Sequence, residues 1–507
     1  MNKNILLFYT IIYFIMKQHT YKKKTHKKKF NTDLCDDKLT FQECELAILR
    51  HAVDETEEKQ KKKIVNNGEV KKMLTIVENF LRKRKLICYG GTAINDILPK
   101  HSQFYNRDVE IPDYDFYSSN ALEDAKELAN IFYKEGYEEV EAKSGVHVGT
   151  YKVFVNFIPI ADITLLNKQL YKQFFKDSIK INGIYYSPPN VLRMNMFLEL
   201  SRPAGDVSRW EKVLKRLTLL NEFYPLKPEH DCHTIDFQRE MDSNNDESEK
   251  LYLIVRDSFI NQGVIFFGGY ATSLYSKYMN VEEQDFIKKI PDFDVISEEP
   301  EKTVTLLKET LSRENVHNIK TIKHKEIGEI IPEHIEIKVG EETIAFIYKP
   351  IACHSYNTIH IGGKDIKIAT IDTILSFYLA FIYANEHYYN KDRLLCMAKF
   401  LFDVEQKNRL EQKGLLKRFS IDCYGKQATM EDLRSEKAKK FKELMNNKNS
   451  KEYEVWFLKY NPREVKIRGT NETPGHPLPS TKKRENISKK TRTRKNVEKK
   501  KTSDYLF

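Results

Sequence analysis

The chain carries the same three-part pattern twice, in the same order. The first copy reads YGGTAIN (89–95), IPDYDFYSSN (111–120) and FIPIADIT (157–164). The second reads FGGYATS (267–273), IPDFDVISEE (290–299) and YKPIACHS (348–355). Gly91 precedes Asp113 by 22 positions and Gly269 precedes Asp292 by 23. On this alignment the third element falls 49 positions after Asp113, at Asp162, and 61 after Asp292, at Cys353. The second copy would then hold a 12-residue insertion. Each copy follows a helical stretch and has an amphipathic helix after its acidic strand. A unit this long is no solenoid repeat. It predicts two similar α/β modules produced by duplication.

A length of 507 residues agrees with more than one core. The organisation read along the chain starts with a disordered basic arm at 1–36 and a helical region at 37–85. The first module follows at 86–228, a polar linker at 229–250, and the second module with C-terminal helices at 251–465. A basic disordered tail occupies 466–507. Val70, Met73, Leu74, Val77, Phe80 and Leu81 recur at helical spacing and mark one buried face. Leu86–Tyr89 reads as a short strand running into Gly90-Gly91. Further strands are expected around Ile111–Tyr117 and Tyr151–Leu165, with a helix at Ala121–Tyr133 closed by Gly136. Helices carrying Trp210, Val213, Leu214 and Leu217 lead to Pro225 and Pro228.

The net charge of +11 is unevenly placed. Residues 17–29 contribute +7 and residues 482–501 contribute +9, so the remainder carries −5. Seven scattered cysteines (35, 44, 88, 232, 353, 396, 423), with no C-x-x-C, argue against a disulfide framework or structural zinc and fit a reducing compartment. The apolar stretch Ile5–Met16 is 12 residues long, short of the roughly 20 needed to cross a bilayer. No membrane role is expected, and Met16 reads as an alternative start.

The chemistry concentrates in the first module. Asp113 and Asp115 are two apart on a strand, so both carboxylates face one way and Tyr114 the other. Such a pair repels itself unless cations intervene. Magnesium, a hard ion held by carboxylates, waters and phosphates, suits it. Asp162 can bring a third carboxylate from a neighbouring strand, completing a set able to hold two ions for displacement at phosphorus. Gly90-Gly91-Thr92 lies between strand and helix, where backbone N–H groups can approach a triphosphate and the Thr92 hydroxyl can add a hydrogen bond. A lone Gly-Gly or D-x-D is common in ordinary turns. The ordered set is far more specific and points to a nucleotidyltransferase-type site.

The strings ICYGGTAIN, IPDYDFYS and FIPIADIT resemble the poly(A) polymerase catalytic subunits of large cytoplasmic DNA viruses, within the DNA polymerase β-like nucleotidyltransferase superfamily. The resemblance covers about 86–390. It implies an α/β (α+β) protein with a helical N-terminal region and two tandem nucleotidyltransferase-like modules, the second degenerate. It also implies template-independent transfer of AMP from ATP to an RNA 3′ hydroxyl, with two Mg²⁺ or Mn²⁺ ions. Asp113 and Asp115 would bind both ions and Asp162 the ion that activates the attacking hydroxyl. Gly90, Gly91 and Thr92 would hold the triphosphate. Expected partners are the RNA 3′ end, ATP, and either a second copy of the chain or a viral processivity subunit. The expected setting is the viral factory in the host cytoplasm, with packaging in the virion. The motifs set the chemistry and leave the base open. A transferase using UTP or CTP, a CCA-adding enzyme and a non-enzymatic RNA scaffold remain alternatives.

In the second module Cys353, a poor magnesium ligand, stands at the third-carboxylate position of this alignment, and Tyr270 replaces Thr92. That copy is expected to be inactive. Lys212 and Arg216 lie one turn apart on a helix. They read either as triphosphate or RNA contacts or as a solvated face. His230, Cys232 and His233 lack a fourth zinc ligand at workable spacing. Tyr185–Pro189 reads as cleft wall or packing. The lysine-rich ends lack the interleaved aromatics of a single-strand binder, so any RNA contact there is non-specific and salt-sensitive.

Overall fold

The computed structural model describes residues 32, 34–35, 39–65, 68–106, 112–235, 246–287 and 292–464. The basic tail and nearly all of the basic arm lie outside the described residues, as does the middle of the polar linker. Two helices lead in, α1 (Phe41–Val65) and α2 (Gly68–Arg84). The periodic face of α2 is buried at Val70, Met73, Val77, Phe80 and Leu81. Each such side chain contributes on the order of 1.5–3 kcal/mol.

The first module contains β1 (Ile87–Tyr89), α3 (Gly90–Ile97), β2 (Asp115–Ser118), α4 (Ala121–Lys134), β3 (Val140–Ser144), β4 (Thr150–Val155) and β5 (Ile158–Leu165). It continues through α5 (Lys168–Lys176), β6 (Ile179–Ile181), β7 (Ile184–Tyr186), α6 (Pro189–Leu200) and α7 (Trp210–Phe223). The single strand expected at Tyr151–Leu165 is a hairpin, because Asn156 and Phe157 take left-handed backbone angles (φ 48° and 65°) and reverse the chain.

Then come α8 (Asp246–Gln262), β8 (Ile265–Phe267), α9 (Gly268–Tyr275), α10 (Val281–Ile287), β9 (Phe293–Ile296), α11 (Pro300–Arg313), β10 (Ile319–His324), β11 (His334–Val339) and β12 (Glu342–Tyr348). The chain goes on through β13 (His354–Ile361), β14 (Lys364–Ala369), α12 (Ile371–Ala384), α13 (Lys391–Lys407), β15 (Cys423–Tyr424), α14 (Met430–Leu444), α15 (Lys451–Phe457) and β16 (Lys459–Tyr460).

Two mixed eight-stranded sheets result, ordered β16-β3-β4-β5-β2-β1-β7-β6 and β10-β11-β12-β9-β8-β14-β13-β15. Seven strands correspond one to one. The eighth differs: β16 closes the β3 edge of the first sheet, and β15 the β13 edge of the second. The modules meet where α6 packs along α12. α12 is buried along nearly its whole length, which explains its uniformly apolar face.

Two sequence expectations fail here. Strand pairing sets Asp162 opposite Asp115 in the first sheet and Phe346 opposite Asp294 in the second. The counterpart of Ile160-Ala161-Asp162-Ile163 is therefore Ile344-Ala345-Phe346-Ile347, and Cys353 lies beyond the strand. The insertion shrinks from 12 residues to 5, since Asp113 to Asp162 is 49 positions and Asp292 to Phe346 is 54. The match to YKPIACHS failed because proline and cysteine in a loop resembled a strand motif by composition alone. The cysteine reading also falls. Three disulfides join Cys35–Cys44, Cys232–Cys396 and Cys353–Cys423, while buried Cys88 is free. Two of these pairs are 164 and 70 residues apart, so tertiary approach creates them and local spacing does not show them. The argument for a reducing compartment goes with it.

Candidate active site

Three short pieces of backbone build the site. β1 ends at Tyr89 and passes straight into α3, with Gly90 at φ +73°. A Cβ at Gly90 would lie 2.7 Å from Asp115 Oδ2, so the glycine leaves room for the carboxylate as well as adopting a conformation that costs other residues. At Gly91 a Cβ would run into the Tyr105 hydroxyl and the Arg216 guanidinium. These glycines thus serve the packing of the site's own side chains, beyond the phosphate approach expected from sequence.

β2 and β5 run parallel with Asp115 opposite Asp162, and the Asp162 N–H donates to the Tyr114 carbonyl at 3.0 Å. Asp113 sits just before β2. Tyr114 points into the opposite layer, where it is buried and its hydroxyl donates to Glu78 Oε1 at 2.7 Å. The alternation expected from the D-Y-D spacing is therefore present. Thr92 differs from expectation. It is buried, and its hydroxyl donates to the Asp113 carbonyl at 2.7 Å. It anchors the acidic segment to α3.

Burial pushes the Asp115 carboxyl up to about 7, with Asp113 and then Asp162 adding repulsion. Asp113 is raised as well, by burial first and Asp162 second, against the pull of Lys152 and Lys212. Like charges gathered in a partly desolvated pocket create this cost, and cations remove it. One cation is already there. Lys152 stands opposite Asp162 across the β4–β5 hairpin, and the two form an ion pair. Among the described residues, no three His, Cys, Asp or Glu side chains close on a point that could hold an ion. Asp162 would have to exchange Lys152 for a metal. The donor set nevertheless fits magnesium or manganese, being hard carboxylate oxygen whose mutual repulsion Lys152 offsets only in part.

The three aspartates, Gly90, Gly91, Thr92, Lys212 and Arg216 belong to one region. All but Asp162 line a cleft of about 1030 Å³, which Asp162 borders through its pairing with Asp115. Arg209, Lys212 and Arg216, on and just before α7, line the same cleft. Arg216 donates to the Tyr105 hydroxyl at 2.6 Å and lies over the Phe104 ring at 5.0 Å. Arg209 pairs with Glu199 at 3.1 Å. The cleft thus brings carboxylates and cations together, which suits a phosphate held alongside metal ions.

Sequence reading missed Lys152, Arg209 and Tyr105, along with the contributions from outside the module. Gly328, Glu329 and Ile330 from the β10–β11 loop, and Val455 of α15, also line the cleft. Lys152 was legible in principle, had the hairpin at Asn156-Phe157 been recognised. The other contributions carry no local signal. The His230/Cys232/His233 cluster is no metal site, since Cys232 is bonded to Cys396 and His230 pairs with Asp392 at 3.1 Å. Tyr186, which is buried, donates to Asp96 at 3.1 Å and belongs to the packing. Among the described residues, no helix is long and apolar enough to cross a membrane.

Comparison with known proteins agrees with the resemblance read from the three strings. Residues 75–206 match the family model described as "Poly(A) polymerase catalytic subunit". A candidate poly(A) polymerase catalytic subunit of Acanthamoeba polyphaga mimivirus is 29% identical over 224 residues, covering 41% of this chain and 36% of the relative. A protein of the same description from African swine fever virus (isolate Pig/Kenya/KEN-50/1950) is 30% identical over 171 residues, covering 32% of this chain and 36% of its own. The matched stretch thus spans about a third of these curated relatives. The crystal structure of the Megavirus polyadenylate synthase superposes with a TM-score of 0.71 at 20% identity, over 89% of this chain and 90% of that one. The two-sheet α/β fold is shared across nearly the full length of both.

Proposed function

We propose that the first module transfers AMP from ATP to RNA 3′ ends without a template. The observation that carries this reading is the register of β2 and β5. It sets Asp162 opposite Asp115, at the border of a cleft lined by Asp113, Asp115, the Gly90 turn and the cations Arg209, Lys212 and Arg216. The likeness to viral poly(A) polymerase subunits supplies the choice of ATP and RNA. Gly90, Gly91 and the N-terminus of α3 receive the triphosphate, and Arg209, Lys212 and Arg216 balance its charge. Asp113, Asp115 and Asp162 hold the metal ions, with Thr92 fixing the backbone of Asp113. Two divalent ions, when bound, supply a charge clamp across the attacking and leaving oxygens. Positioning and charge neutralisation are the main demands of phosphoryl-type transfer, and these residues meet both.

The test is extension of a short labelled RNA with Mg²⁺ or Mn²⁺ and each nucleoside triphosphate supplied singly. ATP should be incorporated in preference to the others. Use of UTP or CTP in its place would replace the adenylate reading. RNA binding without extension by any nucleotide would replace the enzyme reading with a scaffold.

A further inference from the structure

The correspondence of β7 with β14 fixes how α6 and α12 align. Cys88 pairs with Tyr186 as Phe266 pairs with Ile368, which sets α6 residues against α12 residues 182 positions later. On the face of α6 toward the cleft lie Leu192, Asn195, Met196 and Glu199, and Arg202 lines the cleft two residues past the helix end. Their counterparts on α12 are Ile374, Phe377, Tyr378, Phe381 and Ala384, all buried. The shared fold therefore asks for apolar residues on this face. Asn195, Glu199 and Arg202 are polar where the other module shows that the architecture does not need polarity.

These polar groups are incompletely used within the protein. Among the described residues, Nε of Arg202 is buried with no hydrogen-bond partner. The Asn195 amide there reaches only the Tyr117 hydroxyl, at a long 3.4 Å. Opposite them, the second module inserts a tight turn closed by Ile327 N–H to the Ile331 carbonyl at 2.9 Å and its reciprocal at 3.4 Å. Gly328 at the tip, φ +58°, abuts Leu170 of α5 so closely that a Cβ would lie 3.1 Å from that side chain. The turn is thus pinned to the first module and presents Glu329, which is exposed, to the cleft. Glu329 lies close enough for its charge to act on both Tyr117 and Arg202.

We propose that the second module selects the base: Glu329 on its pinned turn, with Asn195 on α6 and Arg202 just past its end, reads the pairing edge of the incoming nucleotide, while Leu192, Met196 and Ile330 supply the apolar walls. This rests on the nucleotidyl-transfer reading of the same cleft. Adenine offers an amino donor beside a ring-nitrogen acceptor. A carboxylate accepts from the first and an amide or guanidinium donates to the second. Guanine and uracil present the reverse order, a carbonyl acceptor beside an N–H donor, and would leave both protein groups opposed to like partners. A mismatched base would cover these polar groups without pairing them, so they would give up their hydrogen bonds to water and gain none in return. Cytosine shares the order of adenine and is separated from it by size alone, so it is the expected second-best base.

The experiment is single-nucleotide incorporation on oligo(A) RNA by the full chain, with all four triphosphates, comparing wild type, Glu329→Ala, Glu329→Gln and Arg202→Lys. Glu329→Ala should lower kcat/KM for ATP about tenfold or more and leave GTP and UTP unreduced, collapsing the preference for ATP. Glu329→Gln should lie between, since its carbonyl still accepts. Arg202→Lys, which keeps the charge, covers the case in which loss of the partly buried cation disturbs folding. It should erode the same ratio. A parallel fall for all four nucleotides, or an unchanged ratio, would overturn the proposal. The wild-type profile alone judges the adenylate reading, and the change in profile judges the pocket. Should the wild type extend with no nucleotide, equilibrium displacement of a fluorescent nucleotide by ATP and by GTP decides the same ratio without turnover.

Discussion

The two modules share seven strands, the glycine turn and the D-x-D pair, yet the large cleft opens over the acidic pair of the first. The difference is concentrated at a few matched positions. Where the first module has Asp162, with a side chain 17% exposed, the second has Phe346, fully buried among His324, His334 and Tyr388. Where the first has Thr92 tying α3 to Asp113, the second has Tyr270 packed against Phe266 and Phe293 at 4.8 and 5.5 Å. Where Met196 borders open cleft, Tyr378 is buried and bonds to Thr272 at 2.8 Å. The same backbone can thus carry a cleft or a filled core. Aromatic substitution converts one to the other by exchanging hydrated charge for buried apolar area, which favours folding. A pocket of mutually repelling carboxylates is costly to the fold, and the second module does not bear that cost.

Breaking the comparison at the acidic pair should give the largest effect. Asp115→Ala or Asp113→Ala should lower extension by a factor on the order of 1000 or more. Asp292→Ala, in a protein shown folded by circular dichroism, should leave it within about threefold. Loss of activity from Asp292→Ala would refute the inactive-copy assignment. Phe346→Asp asks whether the missing carboxylate is sufficient. It should create no second site, and it should destabilise the protein by about 3–5 kcal/mol, because an unpaired carboxylate enters an aromatic cluster. Urea denaturation measures this.

Two finer comparisons follow. Lowering pH from 8 to 6 should weaken Mg²⁺ binding to the first module, read by calorimetry, because protons compete for Asp115, whose carboxyl is pushed up to about 7. The sign also holds for stability. A raised carboxyl prefers its proton in the folded state, so the ion-free protein should lose stability as pH rises from the ordinary carboxylate range through about 7. Asp115→Asn should flatten that slope, leaving the smaller share from Asp113. The smallest effect concerns the covalent ties. The second module is cross-linked through Cys353–Cys423 and tied to the linker through Cys232–Cys396, while Cys88 of the first is free. Cys232→Ser should cost about 2–4 kcal/mol, measured as a lower Tm, with little effect on kcat. Cys88→Ala, which breaks no disulfide, isolates the packing contribution.

Much of the first module was legible because its signals are local. The D-Y-D alternation follows from strand geometry, the Gly90 turn from backbone sterics, and the buried face of α2 from a 3.6-residue period. The second copy's third element was misplaced because a motif match weighs residue types, whereas strand register depends on which hydrogen bonds close. Ile344-Ala345-Phe346 resembles Ile160-Ala161-Asp162 only when the functional residue is ignored. Lys152 was hidden by a hairpin turn of asparagine and phenylalanine without glycine. Glu329 lies more than 160 residues from Asp162, and no periodicity links them.

The sequence by itself determined the duplication, the α/β class and the identity of the acidic set, because each depends on interactions between residues close in the chain. Tertiary structure alone decided that Phe346 stands where the third carboxylate would be, that six cysteines pair and that residues of the second module line the cleft of the first. Those outcomes depend on contacts between segments distant in sequence. They are fixed only when the sheets close and α6 packs on α12.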